Sequence, residues 1–278
     1  MTAATHAPIP AGGALPSYRR PQRVTQLRVV RAEWTKLRTQ PSAYWALLTA
    51  VIMVVGFGIG YSLLLAARPP RGAAMASFDP AAISLSGVQF AQIAAGVLGV
   101  LLITSEYATG LIRTTFAAVP RRLPMLWGKA VLLAAAITAV SLPAAFAAFA
   151  GGQSILSRQH LSVPLSQPGV ARAVIGCALC LAVVGLLGLG LGALIRNAAG
   201  GIAALFGLLY GLPLAASFLP GSIAADVTKY LPTSAGQAVT TVQPDPTMLQ
   251  PWTGFGVLCA YAAVLLATSA ARMRRGDA

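Results

Sequence analysis

Six apolar runs, at about 45–67, 85–104, 125–149, 173–195, 199–219 and 252–271, alternate with shorter polar stretches along the chain. Each run is nearly free of ionisable side chains. About 20 apolar residues in a helix cover the roughly 30 Å hydrocarbon layer of a bilayer. The pattern therefore predicts an all-α, polytopic membrane protein of six transmembrane helices, with the membrane domain over 41–272.

The polar stretches carry their own signals. Residues 1–22 are rich in Ala, Pro, Gly and Thr without apolar periodicity, which reads as a disordered tail. In 23–40, Val24, Leu27, Val30, Trp34 and Leu37 recur at steps of three and four, the stripe of an amphipathic helix. Arg31 and Arg38 intrude near that stripe. The segment reads either as an interfacial helix on the cytoplasmic headgroups or as a solvated basic lead-in. The long connection 220–250 contains Ile223, Val227 and Leu231 at steps of four, so it is either partly helical, re-entrant or interfacial, or an ordinary loop. Residues 273–278 form a short tail. No cleavable signal peptide is expected, because the first apolar run begins near Tyr44 and is too long for one.

Composition sharpens this reading. Hydrophobic residues make up 56% of the 278 and charged residues only 9%, well below the quarter or so usual in soluble domains. The net charge of +14 would point to nucleic acid in a soluble protein, but here the basic residues sit in blocks beside the apolar runs. They act as topology signals, and no nucleic-acid partner is expected. With a cytoplasmic N-terminus, fifteen Lys and Arg lie inside and five outside. The expected location is the cell membrane, with both termini cytoplasmic.

Candidate chemistry is sparse. The sequence has no G-x-x-x-x-G-K-[ST], and Gly128-Lys129 lacks the earlier glycine and the hydroxyl, so ATP phosphates are not cradled by that route. G-x-S-x-G, H-E-x-x-H and clustered His, Asp and Glu are also missing. No catalytic residue, cofactor or metal ligand is assigned to this chain, and it is not expected to be an enzyme. Cys177 and Cys180 form a C-x-x-C, but no second ligand pair accompanies them; they read as small residues of a membrane helix. No ionisable residue falls mid-membrane, which argues against a proton relay. Gln89 and Gln92, three apart on one face, either line a polar path or bond to neighbouring helices. Gly56/Gly60, Gly188/Gly192 and Gly207/Gly211 are small-xxx-small pairs that let helices approach closely.

The connection between runs two and three, SEYATGLIRTTFAAVPRR from Ser105 to Arg122, is the most unusual polar segment. Leu111, Ile112 and Phe116 stand among Thr109, Arg113, Thr114 and Thr115. It reads as a short helix lying along the membrane with a face for a cytoplasmic partner, or as a basic connector.

The stretches RVVRAEWTKLRTQPSAYW, ITSEYATGLIRTTFAAVPRRLPMLWGK and KYLPTSAGQAV resemble the membrane subunit of ABC-2-type transporters. The resemblance runs from about residue 24 to the end. Its most specific part is Glu106, Tyr107, Gly110, Leu111, Ile112, Arg113 and Thr114, with Leu111 where Thr or Ser is commoner. It implies six spans, an N-terminal amphipathic helix and a cytoplasmic coupling helix. It further implies a permease with two membrane subunits and two separate ATPase subunits, usually an exporter. Glu106, Tyr107, Gly110, Arg113 and Thr114 would be the ATPase-coupling residues. ATP would act through the partner, and the second membrane subunit would be a copy of this chain or a relative. The alternatives are a secondary transporter and a non-transporting anchor or sensor subunit.

Overall fold

A computed structural model describes Thr35 and residues 40–70, 78–108, 122–243 and 247–275. Every element among them is helical. In chain order they are α1 (Pro41–Ala67), α2 (Pro80–Ser84), α3 (Val88–Ala108), α4 (Arg122–Leu156), a 3-10 turn (Ser157–Gln159), α5 (Val170–Ile195), α6 (Ala198–Phe206), a π-turn (Gly207–Gly211), α7 (Leu212–Ala216), α8 (Gly221–Thr228), α9 (Pro232–Thr240) and α10 (Pro251–Arg275). Six helical stretches are long and apolar enough to cross a membrane, with α6, the π-turn and α7 together making the fifth. The proposed interfacial helix at 23–40 lies outside the described residues apart from Thr35 and Gln40.

Pro41 begins α1, where its missing N–H costs nothing. α4 has 35 residues. At 1.5 Å per residue it is about 52 Å long, more than a bilayer core requires, so it tilts, bends at Pro143 or extends past the apolar layer. The fourth and fifth spans are separated by a two-residue turn. Arg196, at φ 60°, ends α5 in the left-handed conformation, and Asn197 Oδ1 accepts from Gly200 N at 2.9 Å to cap α6.

α5 is the hub: 78% of its apolar window is buried, against 22% for α1 and 17% for the fifth span. Its glycines explain why. In lipid, apolar surface alone does not drive helices together, and close packing of small residues does. Gly185 and Gly188 of α5 meet the backbone of α3 around Ala95 and Gly96, and Gly99 of α3 meets the backbone of α5 at Gly185 and Leu189. Gly192 fits against Val100 and Ile103, Gly190 against Leu265 of α10, and Gly176 against Val239 of α9. Of the three glycine pairs in the sequence pattern, only Gly188/Gly192 makes such contacts. Gly56, Gly60, Gly207 and Gly211 have nothing within 4 Å of where a Cβ would stand.

The 220–250 connection is partly helical. α8 exposes Ile223 and Val227, while Leu231 turns inward. α9 is too short to span a membrane and is wedged between α5 and α10, with Ala235, Ala238 and Val239 fully buried. Gly254 of α10 makes room for it, because a side chain there would strike Ala235 O and Ala238 Cβ.

Candidate functional site

At one end of the bundle, which we call the terminal face, α3 stops and α4 starts on either side of the 109–121 segment. Glu106 lies in the last turn of α3 and Lys129 in the third turn of α4. Lys129 Nζ donates to Glu106 Oε1 at 2.8 Å, with the side chains 1% and 8% exposed. Glu106, which follows the second apolar run in sequence, is interior and ion-paired rather than wet, and Lys129, near the start of the third run, is among the largest fully buried side chains. Removing two charges from water costs several kcal/mol per ion, so such a pair persists only where it is geometrically well made.

Neighbouring contacts extend this tie. The Arg196 guanidinium carbon sits 5.6 Å from the centre of the Tyr107 ring, linking the α5–α6 turn to α3. Arg272 Nη1 of α10 donates to Leu194 O at 2.8 Å, satisfying a carbonyl at the end of α5. Of the proposed coupling residues, Glu106 and Tyr107 are thus placed, on one helix end. Gly110, Arg113 and Thr114, and the coupling helix itself, lie outside the described residues.

Gln89 and Gln92 lie toward the opposite end, the loop face. Gln92 Nε2 donates to Gln89 O (3.0 Å), Gln89 Oε1 (3.2 Å) and Tyr210 Oη (3.3 Å). Tyr210 Oη in turn donates to Gln89 O at 3.0 Å. The pair therefore bonds α3 to the π-turn. It also borders a cavity of about 20 Å³, together with Thr233, Gln237, Thr240 and Cys180. That volume accommodates about one water molecule.

The π-turn has a covalent cause. Pro213 has no N–H, so the carbonyl of Leu209 four residues earlier loses its helical donor. Thr233 Oγ1 of α9 supplies the replacement at 2.9 Å. The ladder shifts to a five-residue step, with Leu212 N donating to Gly207 O.

A second tie closes the loop face. Asp79 Oδ1 accepts from Ala81 N and Ala82 N, both at 3.0 Å, capping α2 just ahead of Pro80. Its Oδ2 accepts from Val242 N at 3.1 Å and Gln243 N at 3.4 Å. Arg172 Nη2 donates to Thr241 O at 3.0 Å from the other side. Gln153 Nε2 of α4 donates to Pro80 O and Ser84 Oγ, and its Oε1 accepts from Val163 N at 2.7 Å.

Sequence reasoning missed Lys129, Tyr210, Thr233, Asp79 and Gln153. Two had readable signals: a lysine inside an apolar helix needs a partner, and Asp followed by Pro is a helix start. Tyr210 and Thr233 depend on contacts distant in sequence. No protein-family model matches this chain, and no curated protein matches it.

Proposed function

We propose that this chain is the membrane subunit of an ATP-driven transporter, exporting an amphiphilic solute with ATP hydrolysed by a separate subunit. The observation that carries this reading is the buried Glu106–Lys129 pair, which joins the two helix ends flanking the 109–121 segment. A push on that segment is then delivered to α3 and α4 together, and through the glycine contacts of α3 to the hub helix α5. The segment's alternation of apolar residues with Arg113, Thr114 and Thr115 suits a surface that meets both lipid and a protein partner. The resemblance of 105–129 to ABC-2 permeases supports the same partner. In this reading the termini are cytoplasmic in the cell membrane, and a second membrane subunit covers the exposed faces of α1 and the fifth span.

The test is co-expression with a candidate ATPase subunit encoded beside this chain. The complex should co-purify, and ATPase activity should depend on the chain. Arg113→Glu should weaken docking or uncouple hydrolysis while insertion is retained. A chain that purifies alone and moves solute only with an ion gradient would overturn the proposal in favour of a secondary transporter. Inserted protein that moves nothing and binds no ATPase would point to an anchor.

A further inference from the structure

We propose that the π-turn Gly207–Gly211 is a hinge in the fifth span, and that Tyr210 is the latch that keeps an uncharged polar cavity closed at the loop face. Five observations converge on it. The ladder is already broken there, because Pro213 withholds a donor and leaves Leu209 O to Thr233 rather than to the helix. Glycines stand at both ends of the turn, and neither has an atom within 4 Å of where a Cβ would be, so the backbone has room to rotate. On one side of the turn, α6 is anchored: Gly201 lies against Val100 of α3, and Leu205 is 1% exposed. On the other side the segment packs little against this chain itself, with Leu212, Leu214 and Phe218 exposed, the last by 82%. Across the turn, the tyrosine hydroxyl makes hydrogen bonds to Gln89 and Gln92 of α3.

Tyr210 does not line the cavity but bonds to two residues that do, Gln89 and Gln92; Thr233, Gln237, Thr240 and the thiol of Cys180 complete its polar side, Val88, Val184 and Leu258 its apolar side, and no charged side chain is among its lining residues. Closed, it has room for about one water. Opened by a swing of the π-turn away from Gln89, Gln92 and Thr233, to which its present hydrogen bonds hold it, the cavity would present neutral hydrogen-bonding groups to the loop face. The inference concerns motion within this chain and stands whether or not an ATPase drives it. The competing account is a static proline distortion with no motion attached.

Native cysteines report the difference. Cys180 borders the cavity, whereas Cys177, one turn earlier on α5, is fully buried in the main core. Two full-length proteins would each keep one thiol, one retaining Cys180 and the other Cys177, with the remaining cysteines changed to Ala. Both would be reconstituted in lipid nanodiscs and labelled with N-ethylmaleimide. Tyr210→Phe removes the latch hydroxyl and should speed Cys180 labelling roughly five- to thirtyfold, the range expected for one or two lost hydrogen bonds. Pro213→Ala restores the missing donor and should slow it below wild type. Cys177 labelling should not change in either variant. Unchanged Cys180 rates in both variants would overturn the hinge. So would parallel acceleration of Cys177 and Cys180, which means general loosening. If Tyr210→Phe does not fold, the direction of the Pro213→Ala effect decides alone.

Discussion

Gly56 and Gly188 each begin a small-xxx-small pair, yet the structure predicts opposite responses to alanine. At Gly188 a methyl group would overlap Gly96 O and lie 2.8 Å from Gly96 C and 3.1 Å from Gly96 Cα. All three are backbone atoms of α3, so no side chain can rotate aside, and α3 and α5 must separate. Overpacking of this kind costs about 1–3 kcal/mol. At Gly56 nothing lies within 4 Å. Both substitutions share the helix-propensity gain of up to about 1 kcal/mol for Gly→Ala, so their difference isolates the contact. Gly188→Ala should therefore be about 1–3 kcal/mol less stable than Gly56→Ala. The assay is unfolding of the purified protein in mixed micelles by titrated SDS, followed by circular dichroism. Equal stability of the two variants, within about 0.5 kcal/mol, would refute the claim that backbone contact between α3 and α5 holds the bundle.

Three other outcomes are expected. Lys129→Met should destabilise by about 3–5 kcal/mol by breaking a buried pair, and the exchange Glu106→Lys with Lys129→Glu should recover part of that loss in the same micelle assay; no recovery would mean the two charges act independently. Asp79→Ala removes a helix cap and two ties to the 242–243 backbone, a loss of roughly 1–3 kcal/mol locally; amide hydrogen exchange at Val242 and Gln243 should accelerate, and unchanged exchange would show that the tie is dispensable. With the native cysteines replaced, a cysteine at Ser222 should react with an impermeant reagent in intact cells and one at Ala278 should not; the reverse pattern would invert the proposed orientation.

The spans were legible because hydrophobicity and length alone set them: every apolar run in the sequence corresponds to a helix in the structure. Their ends were less so. α4 extends to Leu156 where the apolar run ends near 149, because Gln153 finds partners in α2 and in the backbone at Val163, and that satisfaction is invisible in sequence. Periodicity at Ile223, Val227 and Leu231 left helix and loop both open for the 220–250 connection; the structure makes 221–228 helical and leaves Leu231 beyond it, turned inward. Periodicity gave no hint of α9, where Ala235, Ala238 and Val239 do recur at helical steps but are too small and too few to mark a packed helix, and are buried in a slot that Gly176 and Gly254 leave open. The pairing of charges is the least legible in sequence: the burial of Lys129 is settled by a glutamate 23 residues away.

These contacts also constrain where a transport pathway would run, if the proposed function holds. Among the described residues, the spaces between α1, α3 and α4 and between α3, α5 and α9 measure about 10 and 20 Å³, and a larger one of about 420 Å³ lies outside the α3–α4–α5 packing, between α8 and the start of α10. A drug-sized solute needs about 300–1,000 Å³. Widening the interior that far would mean separating α3 from α5, whose backbones touch at Gly96, Gly99, Gly185 and Gly188, and pulling apart the ties that Glu106, Asp79 and Gln153 make between elements. The least covered helices are α1 and the fifth span. The pathway is therefore expected along those faces, completed by a second subunit, with α3, α4 and α5 moving as one body. Cysteine pairs that cross-link α3 to α5 should then leave transport intact, while pairs that join the α1 or fifth-span faces of two subunits should block it. Inhibition by the α3–α5 cross-link alone would place the pathway inside the single chain and overturn this argument.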